Sequence, residues 1–210
     1  MCKHNQARIL AWLIGALLST STLASPISGT GLPSSNAALA GGSVIDFESN
    51  TPVTDDAVTL TYPDVSMTGN STLRISAAFD GQFNVTGNAL ALTTNDSVKE
   101  VVFAFTGLVD AFGFNIGGTD VADWQLVAYS ATGATLESLS VPVLNDGNNG
   151  NYLGIAMPGI ASARLSNSGS EDYVVLDNFT YVKQIPEPFS LALIGIGIAG
   201  IGYRQRKRSG

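Results

Sequence analysis

Between residues 43 and 182, apolar runs of four to eight residues recur between clusters of Gly, Asn, Asp and Pro, and no window sustains a helical apolar period over ten residues. A chain patterned this way builds its core from strands. The runs predict strands over 44–48, 58–62, 73–77, 81–85, 89–92, 100–106, 111–116, 124–130, 135–141, 152–156, 161–166 and 173–182. Several alternate cleanly: Phe112, Phe114 and Ile116 share one face, as do Leu73, Ile75 and Ala77. Between them, Ala131-Thr132-Gly133 and residues 145–150 hold the Asn, Asp and Gly that tight turns need. About a dozen short strands imply an all-β fold, an antiparallel β-sandwich of jelly-roll type over 43–183. Residues 25–42 are small, polar and aperiodic, and read as a flexible lead-in.

The two ends of the chain carry different information. Residues 1–8 are basic, 9–18 are unbroken apolar residues and 19–24 are small and polar. This is the three-part layout of a secretory signal peptide (1–24), with cleavage expected after Ala24 and a second small-residue site at Ala38-Leu39-Ala40. At the other end, 189–203 reads FSLALIGIGIAGIGY, followed by a basic cluster containing Arg204, Arg206, Lys207 and Arg208. As a helix those fifteen residues span ~22 Å, short of the ~30 Å hydrocarbon core, so crossing needs Ile185, snorkelling arginines or local thinning. The basic cluster acts as a membrane stop on the cytoplasmic side and leaves the preceding body outside. The segment also matches a dinucleotide-binding glycine pattern, but no strand–helix–strand unit or downstream acid can follow it before Gly210. Small residues on a membrane helix account for these glycines better.

Just before that segment stand Pro186, Glu187 and Pro188. Pro-Glu-Pro, a Gly-rich apolar stretch and an Arg/Lys-rich end, over 185–208, resemble the PEP-CTERM sorting signal of exported proteins of Gram-negative bacteria. The resemblance implies recognition by an exosortase in the inner membrane, transient anchoring, removal of the tail at or near Pro-Glu-Pro, and release to the cell surface or an extracellular-polysaccharide matrix such as a biofilm. In physical terms, two prolines deny the backbone both helix and ladder and leave an extended, accessible segment.

Charge and residue content narrow the chemistry of the body. Between residues 25 and 185 four basic residues stand against sixteen acidic ones, a net charge of −12, which argues against nucleic acid as a partner. Cys2 and His4 are the only cysteine and histidine, and both fall in the signal peptide. Thiol nucleophiles, Ser-His-Asp triads, disulfides and His/Cys zinc sites are therefore excluded from the exported body. Carboxylate chemistry of the glycoside-hydrolase kind is the remaining enzymatic option, but the Glu residues are scattered singly, and the body reads as non-catalytic.

Two acidic spots stand out. Asp177 interrupts the apolar run 173–182, and Asp46 and Glu48 alternate with Ile45 and Phe47. A carboxylate inside an apolar strand has to be paired, coordinated or hydrogen-bonded to backbone at a bulge. An acid-bearing first strand and a Leu-Asp-Asn-Phe last strand are similar to jelly-roll carbohydrate-binding modules. That resemblance implies a structural Ca²⁺ with Glu48 and Asp177 as ligands and Asp46 third, and oxygen-only ligands suit Ca²⁺. In such a module a sugar ring stacks on aromatics, and Trp124 is the one tryptophan of the body, with Tyr62, Tyr129 and Tyr152 beside it as candidates. A lone Trp in a sandwich equally fills a core. Four glycosylation-type sequons, at Asn70, Asn84, Asn95 and Asn178, are read only as surface loops.

Overall fold

A computed structural model describes residues 24–50, 57–92, 99–145, 147–168 and 172–185. Among these the chain forms strands β1 (Ser25–Thr30), β2 (Ser43–Ile45), β3 (Ala57–Thr61), β4 (Val65–Ser76) and β5 (Ala89–Leu92), then β6 (Glu100–Gly117), β7 (Trp124–Tyr129), β8 (Thr135–Ser140), β9 (Asn151–Asn167) and β10 (Val174–Lys183). One 3₁₀ turn, Pro33–Ser35, is the helical element among them. Every pairing is antiparallel. The expected all-β fold is observed. The anticipated signal helix and C-terminal membrane helix fall on 1–23 and 186–210, outside the described residues; among those described, no helix is long and apolar enough to cross a membrane.

Two strands organise the architecture. Sequence periodicity divides 100–116 and 152–166 into four short strands, but the chain runs them together as β6 and β9, eighteen and seventeen residues long. Their mutual register shifts between Ala104 and Val109, and Gly159 takes φ +87° opposite that shift. At this bend both strands pass from one layer to the other. In the first layer the leading half of β6 lies between β4 and the trailing half of β9, with β7 and β8 beyond. In the second, the trailing half of β6 lies between β10 and the leading half of β9, and β1 closes the edge. The sandwich is thus one continuous sheet folded over itself, and β5, bonded to both β4 and β10, joins the layers again.

Between the layers lies an aromatic stack. Phe103 comes from one layer and Phe114 and Phe179 from the other, with ring centroids 4.8 Å apart for Phe103–Phe179 and 5.7 Å for Phe103–Phe114. The stack depends on a break in the alternation of β10. Leu176 and Phe179 both face the core although they are three apart, because a bulge with Asn178 at φ 50° inserts one residue between them. Asparagine tolerates that left-handed backbone better than the β-branched residues around it.

The second layer is covered on its outer face as well. Ile27 and Leu39 pack there against Ala111 and Tyr152, and Phe83 and Val85 pack against Ala89, Ala91 and Val175. This corrects the flexible lead-in expected for 25–42. Residues 25–30 pair in register with β9 from Ser25↔Ala156 to Thr30↔Asn151, and Leu39 is 0% exposed. Small polar residues do not prevent a strand when a neighbouring edge supplies its hydrogen bonds. The strand expected over 81–85 is likewise replaced by a turn, with Phe83 at φ 52° and Asn84 at φ 64°.

Candidate functional site

At the end of the sandwich away from the bend, Asp46, Glu48 and Asp177 gather at the loop joining β4 to β5, which carries a fourth acid, Asp80. The strand expected over 44–48 stops at Ile45; Phe47 takes φ 61° and enters the core, and the Glu48 amide donates to Asp46 Oδ1 at 3.2 Å. Asp46 and Glu48 therefore sit in a turn rather than on one strand face. Three consecutive amides of the β4–β5 loop then meet three different carboxylates. Thr86 N donates to Asp177 Oδ2 at 3.1 Å, Gly87 N to Asp80 Oδ1 at 2.7 Å and Asn88 N to Glu48 Oε1 at 2.9 Å. Successive N–H groups aimed outward form an anion-binding concavity, and the chain fills this one with its own acids. Gly87 is required here twice over: its φ is +70°, and a Cβ would enter the Glu48 carboxylate.

Asp177 is the buried member of the group, 1% exposed. Its Oδ1 also accepts from Asn178 N at 2.6 Å, so it caps the bulge that positions Phe179. Burial pushes its pKa up to about 6, against the downward pull of the Thr86 and Asn178 amides, and the charges of Glu48 and Asp46 add to the rise. The folded state therefore holds this proton more tightly than the unfolded chain, whose Asp titrates near 3.8. Stability from this group is greatest below pH 4 and falls as pH rises from 4 to 6, by about 3 kcal/mol for two pK units. Urea unfolding across that window should show the decline, and Asp177→Asn should reduce it. Asp64, held below the usual carboxylate range by Lys183 at 2.8 Å, contributes in the opposite sense, while burial pushes Asp110 up in the same sense as Asp177.

An asparagine network fastens the same end. Asn84 Nδ2 donates to Ile116 O at 2.7 Å, Gly150 N donates to Asn84 Oδ1 at 2.7 Å, and Asn148 Oδ1 accepts from Asn84 N at 2.9 Å. Asn115 Nδ2 donates to Gly31 O at 2.8 Å and its Oδ1 accepts from Asn178 Nδ2 at 3.1 Å. These bonds place Asn84 and Asn178 inside the fold, contrary to the surface-loop reading of their sequons. Sequence shows the Asn-rich composition; the mutual pairing depends on four segments far apart in the chain.

The candidate residues thus divide. The structure brings Asp46, Glu48 and Asp177 together and adds Asp80, which sequence reasoning missed. As a cation cage the set is incomplete: among the described residues no group of three or more His, Cys, Asp or Glu side chains is arranged to hold a metal ion, and backbone N–H donors point at Glu48 and Asp177. Trp124 is a correction. It is 0% exposed, and its indole N–H donates to Asp172 Oδ2 at 2.6 Å, where Asp172 also accepts from Asp120 N and Tyr173 N. Strand β7 turns Trp124, Leu126 and Ala128 to the core and Gln125 to solvent, so no sugar can reach the indole. Tyr62 and Tyr152 are also engaged, the first bonded to Asn50 and edge-on to Phe47, the second packed over Gly29.

A groove of about 470 Å³ opens instead between two edge strands of the sandwich, β1 and β8, lined by Ser28, Thr30, Leu139, Ser140, Leu144 and Asn151 among others. Nothing in the sequence marks it, because its β1 wall comes from the segment that reads as a linker.

At the opposite end the chain leaves the body. Gln184 N donates to Leu108 O at 2.9 Å, holding the last described residues against the bend of β6. Residues 184–207 match the PEP-CTERM protein-sorting motif. The sorting motif starts directly at the end of β10, without an intervening linker. Its Pro186, Glu187 and Pro188 and the basic residues Arg204, Arg206, Lys207 and Arg208 lie outside the described residues.

No curated protein matches the chain. Among solved structures it is similar to CpGH89CBM32-6 produced by Clostridium perfringens, at 11% identity and TM-score 0.37 over 59% of this chain and 97% of that one. The family 11 carbohydrate-binding module of the cellulosomal cellulase Lic26A-Cel5E of Clostridium thermocellum is similar at 13% identity and TM-score 0.32, over 70% and 98%. The enzymatically active domain of tailspike protein 4 of bacteriophage CBA120 is similar at 14% identity and TM-score 0.35, over 66% and 20%. Likeness at these scores fixes neither topology nor ligand.

Proposed function

We propose that this is an exported protein that an exosortase sorts through the PEP-CTERM motif. Its β-sandwich body is delivered to the cell surface or extracellular matrix for a non-catalytic structural or polysaccharide-associated role. The observation that carries the reading is the motif at 184–207, set directly after the last strand of the β-sandwich body. Replacing Pro186-Glu187-Pro188 by alanines should leave a larger, membrane-bound form in cell fractions; normal release would overturn the sorting assignment.

A carbohydrate-binding role is the second reading, favoured by the groove between β1 and β8, whose volume suits a small ligand. Glycan-array binding abolished by Thr30→Arg with an unchanged melting temperature supports it, and binding that survives this change excludes the groove. Structural Ca²⁺ at Glu48, Asp177 and Asp46 is supported only by the closeness of their charges, which a divalent cation relieves. EDTA should then lower the urea midpoint at pH 7; an unchanged curve leaves the acids as backbone caps alone.

A further inference from the structure

The register of the second layer places both ends of the body at one end of the sandwich. Val182 on β10 pairs with Ala111 on β6, Ala111 pairs with Ala156 on β9, and Ala156 pairs with Ser25 on β1. These four residues form one row across the sheet, three strand spacings or about 14 Å from end to end. Strand β1 runs away from this row and β10 runs into it, so the chain enters and leaves the body at the bend. The β3–β4 turn is there as well, since Thr106 N donates to Asp64 O at 2.9 Å. Exposed apolar groups lie at both ends of the body, Leu32 and Val143 toward the loop end and Leu108 and Ile185 at the bend, where the Asp64–Lys183 ion pair stands beside them. Leu108, at the crest of the bend, is 39% exposed and Ile185 is 81% exposed, with Pro158 exposed nearby.

Beyond this row the sequence leads on each side to an apolar segment within a short contour. Four steps separate Ile185 from Phe189, a reach of at most about 14 Å. Seven separate Leu18 from Ser25, at most about 25 Å. We infer that the folded body sits with its bend end, residues 104–109 together with Pro158 and Ile185, against the bilayer surface, and presents the loop end of Asp46, Glu48, Asp80 and Asp177 to the exported space. This rests on the anchored, exosortase-sorted reading and adds an orientation to it. The occupant of the bend end is the lipid interface itself, because the four steps from Ile185 to Phe189 keep it within about 14 Å of the apolar segment. The body can fold fully before either end is processed, since neither membrane segment has to be threaded past it. The loop end is accessible to an extracellular partner while the chain is still anchored.

Environment-sensitive fluorophores on single cysteines test this in the full chain carrying Cys2→Ser, reconstituted into phosphatidylcholine vesicles that contain a quencher-labelled lipid. Leu108→Cys and Thr106→Cys report on the bend end, and Gln82→Cys, exposed on the β4–β5 loop, on the far end. Quenching several-fold stronger at positions 108 and 106 than at 82 is the expected result. Equal quenching at the two ends, in protein that floats with the vesicles, overturns the orientation and leaves the sorting reading intact. Protein that fails to float overturns the anchor and the orientation together.

Discussion

Trp124→Ala should lower the unfolding free energy of the body by about 3–5 kcal/mol, the range for removing a fully buried large aromatic. The indole lies in the main core with Leu126 and Ala128, and its N–H is one of the donors to Asp172. Truncation therefore leaves both a cavity and a buried carboxylate short of one partner, although the amides of Asp120 and Tyr173 still donate to it. Trp124→Phe separates the two effects, keeping most of the volume while losing the hydrogen bond, and should cost less. Chemical denaturation monitored by circular dichroism measures both. Loss of a binding activity in Trp124→Ala reports unfolding rather than a missing sugar platform. Near-native stability with selective loss of glycan binding would restore Trp124 as a ligand residue.

The second large effect concerns where the exported protein begins. Cleavage after Ala40 discards β1 and Leu39, and cleavage after Ala24 keeps both. Ile27 and Leu39 are buried against Ala111 and Tyr152, and full burial of two such side chains is worth roughly 3–6 kcal/mol before the strand pairing with β9 is counted. Loss of β1 also strips the edge of β9 at 151–156, leaving an unpaired strand edge beside apolar surface. A chain starting at Gly41 should melt well below one starting at Ser25 and aggregate on heating. Intact-mass measurement of the released protein should give Ser25 as its first residue; a mature form beginning at Gly41 with undiminished stability contradicts the role assigned to β1.

Much of the fold is legible residue by residue. Runs such as 89–92 and 124–129 alternate or are continuously apolar because they lie in a covered sheet, and they appear as β5 and β7 with little change. Periodicity fails where the backbone does something local composition does not report. It divides β6 and β9 at their bends, because exposed Thr106, Gly107 and Leu108 break the pattern although the chain stays extended. It makes a strand of 81–85, where Asn84 instead turns to bond Ile116 and Gly150 across the loop end. It reads β1 as linker, because an edge strand of Ser, Pro and Gly gains its order from its neighbour. The acids show the same division. The interrupted run around Asp177 announces a carboxylate that must be satisfied, and both a cation and a backbone bulge could satisfy it. The answer found, amides of Thr86 and Asn178, depends on a loop about 90 residues away in the chain.

The apolar runs between turn formers, the absence of Cys and His from the body and the Pro-Glu-Pro tail are properties of contiguous residues, so sequence alone determined the all-β class, the excluded chemistries and the sorting motif. Tertiary structure decided that Trp124 is core, that Glu48, Asp80 and Asp177 cap one loop, that 25–42 belongs to the body, and that the chain enters and leaves the sandwich at the same end. Each of those depends on which distant strand supplies a hydrogen-bond partner or covers a face, and local pattern carries no record of that choice.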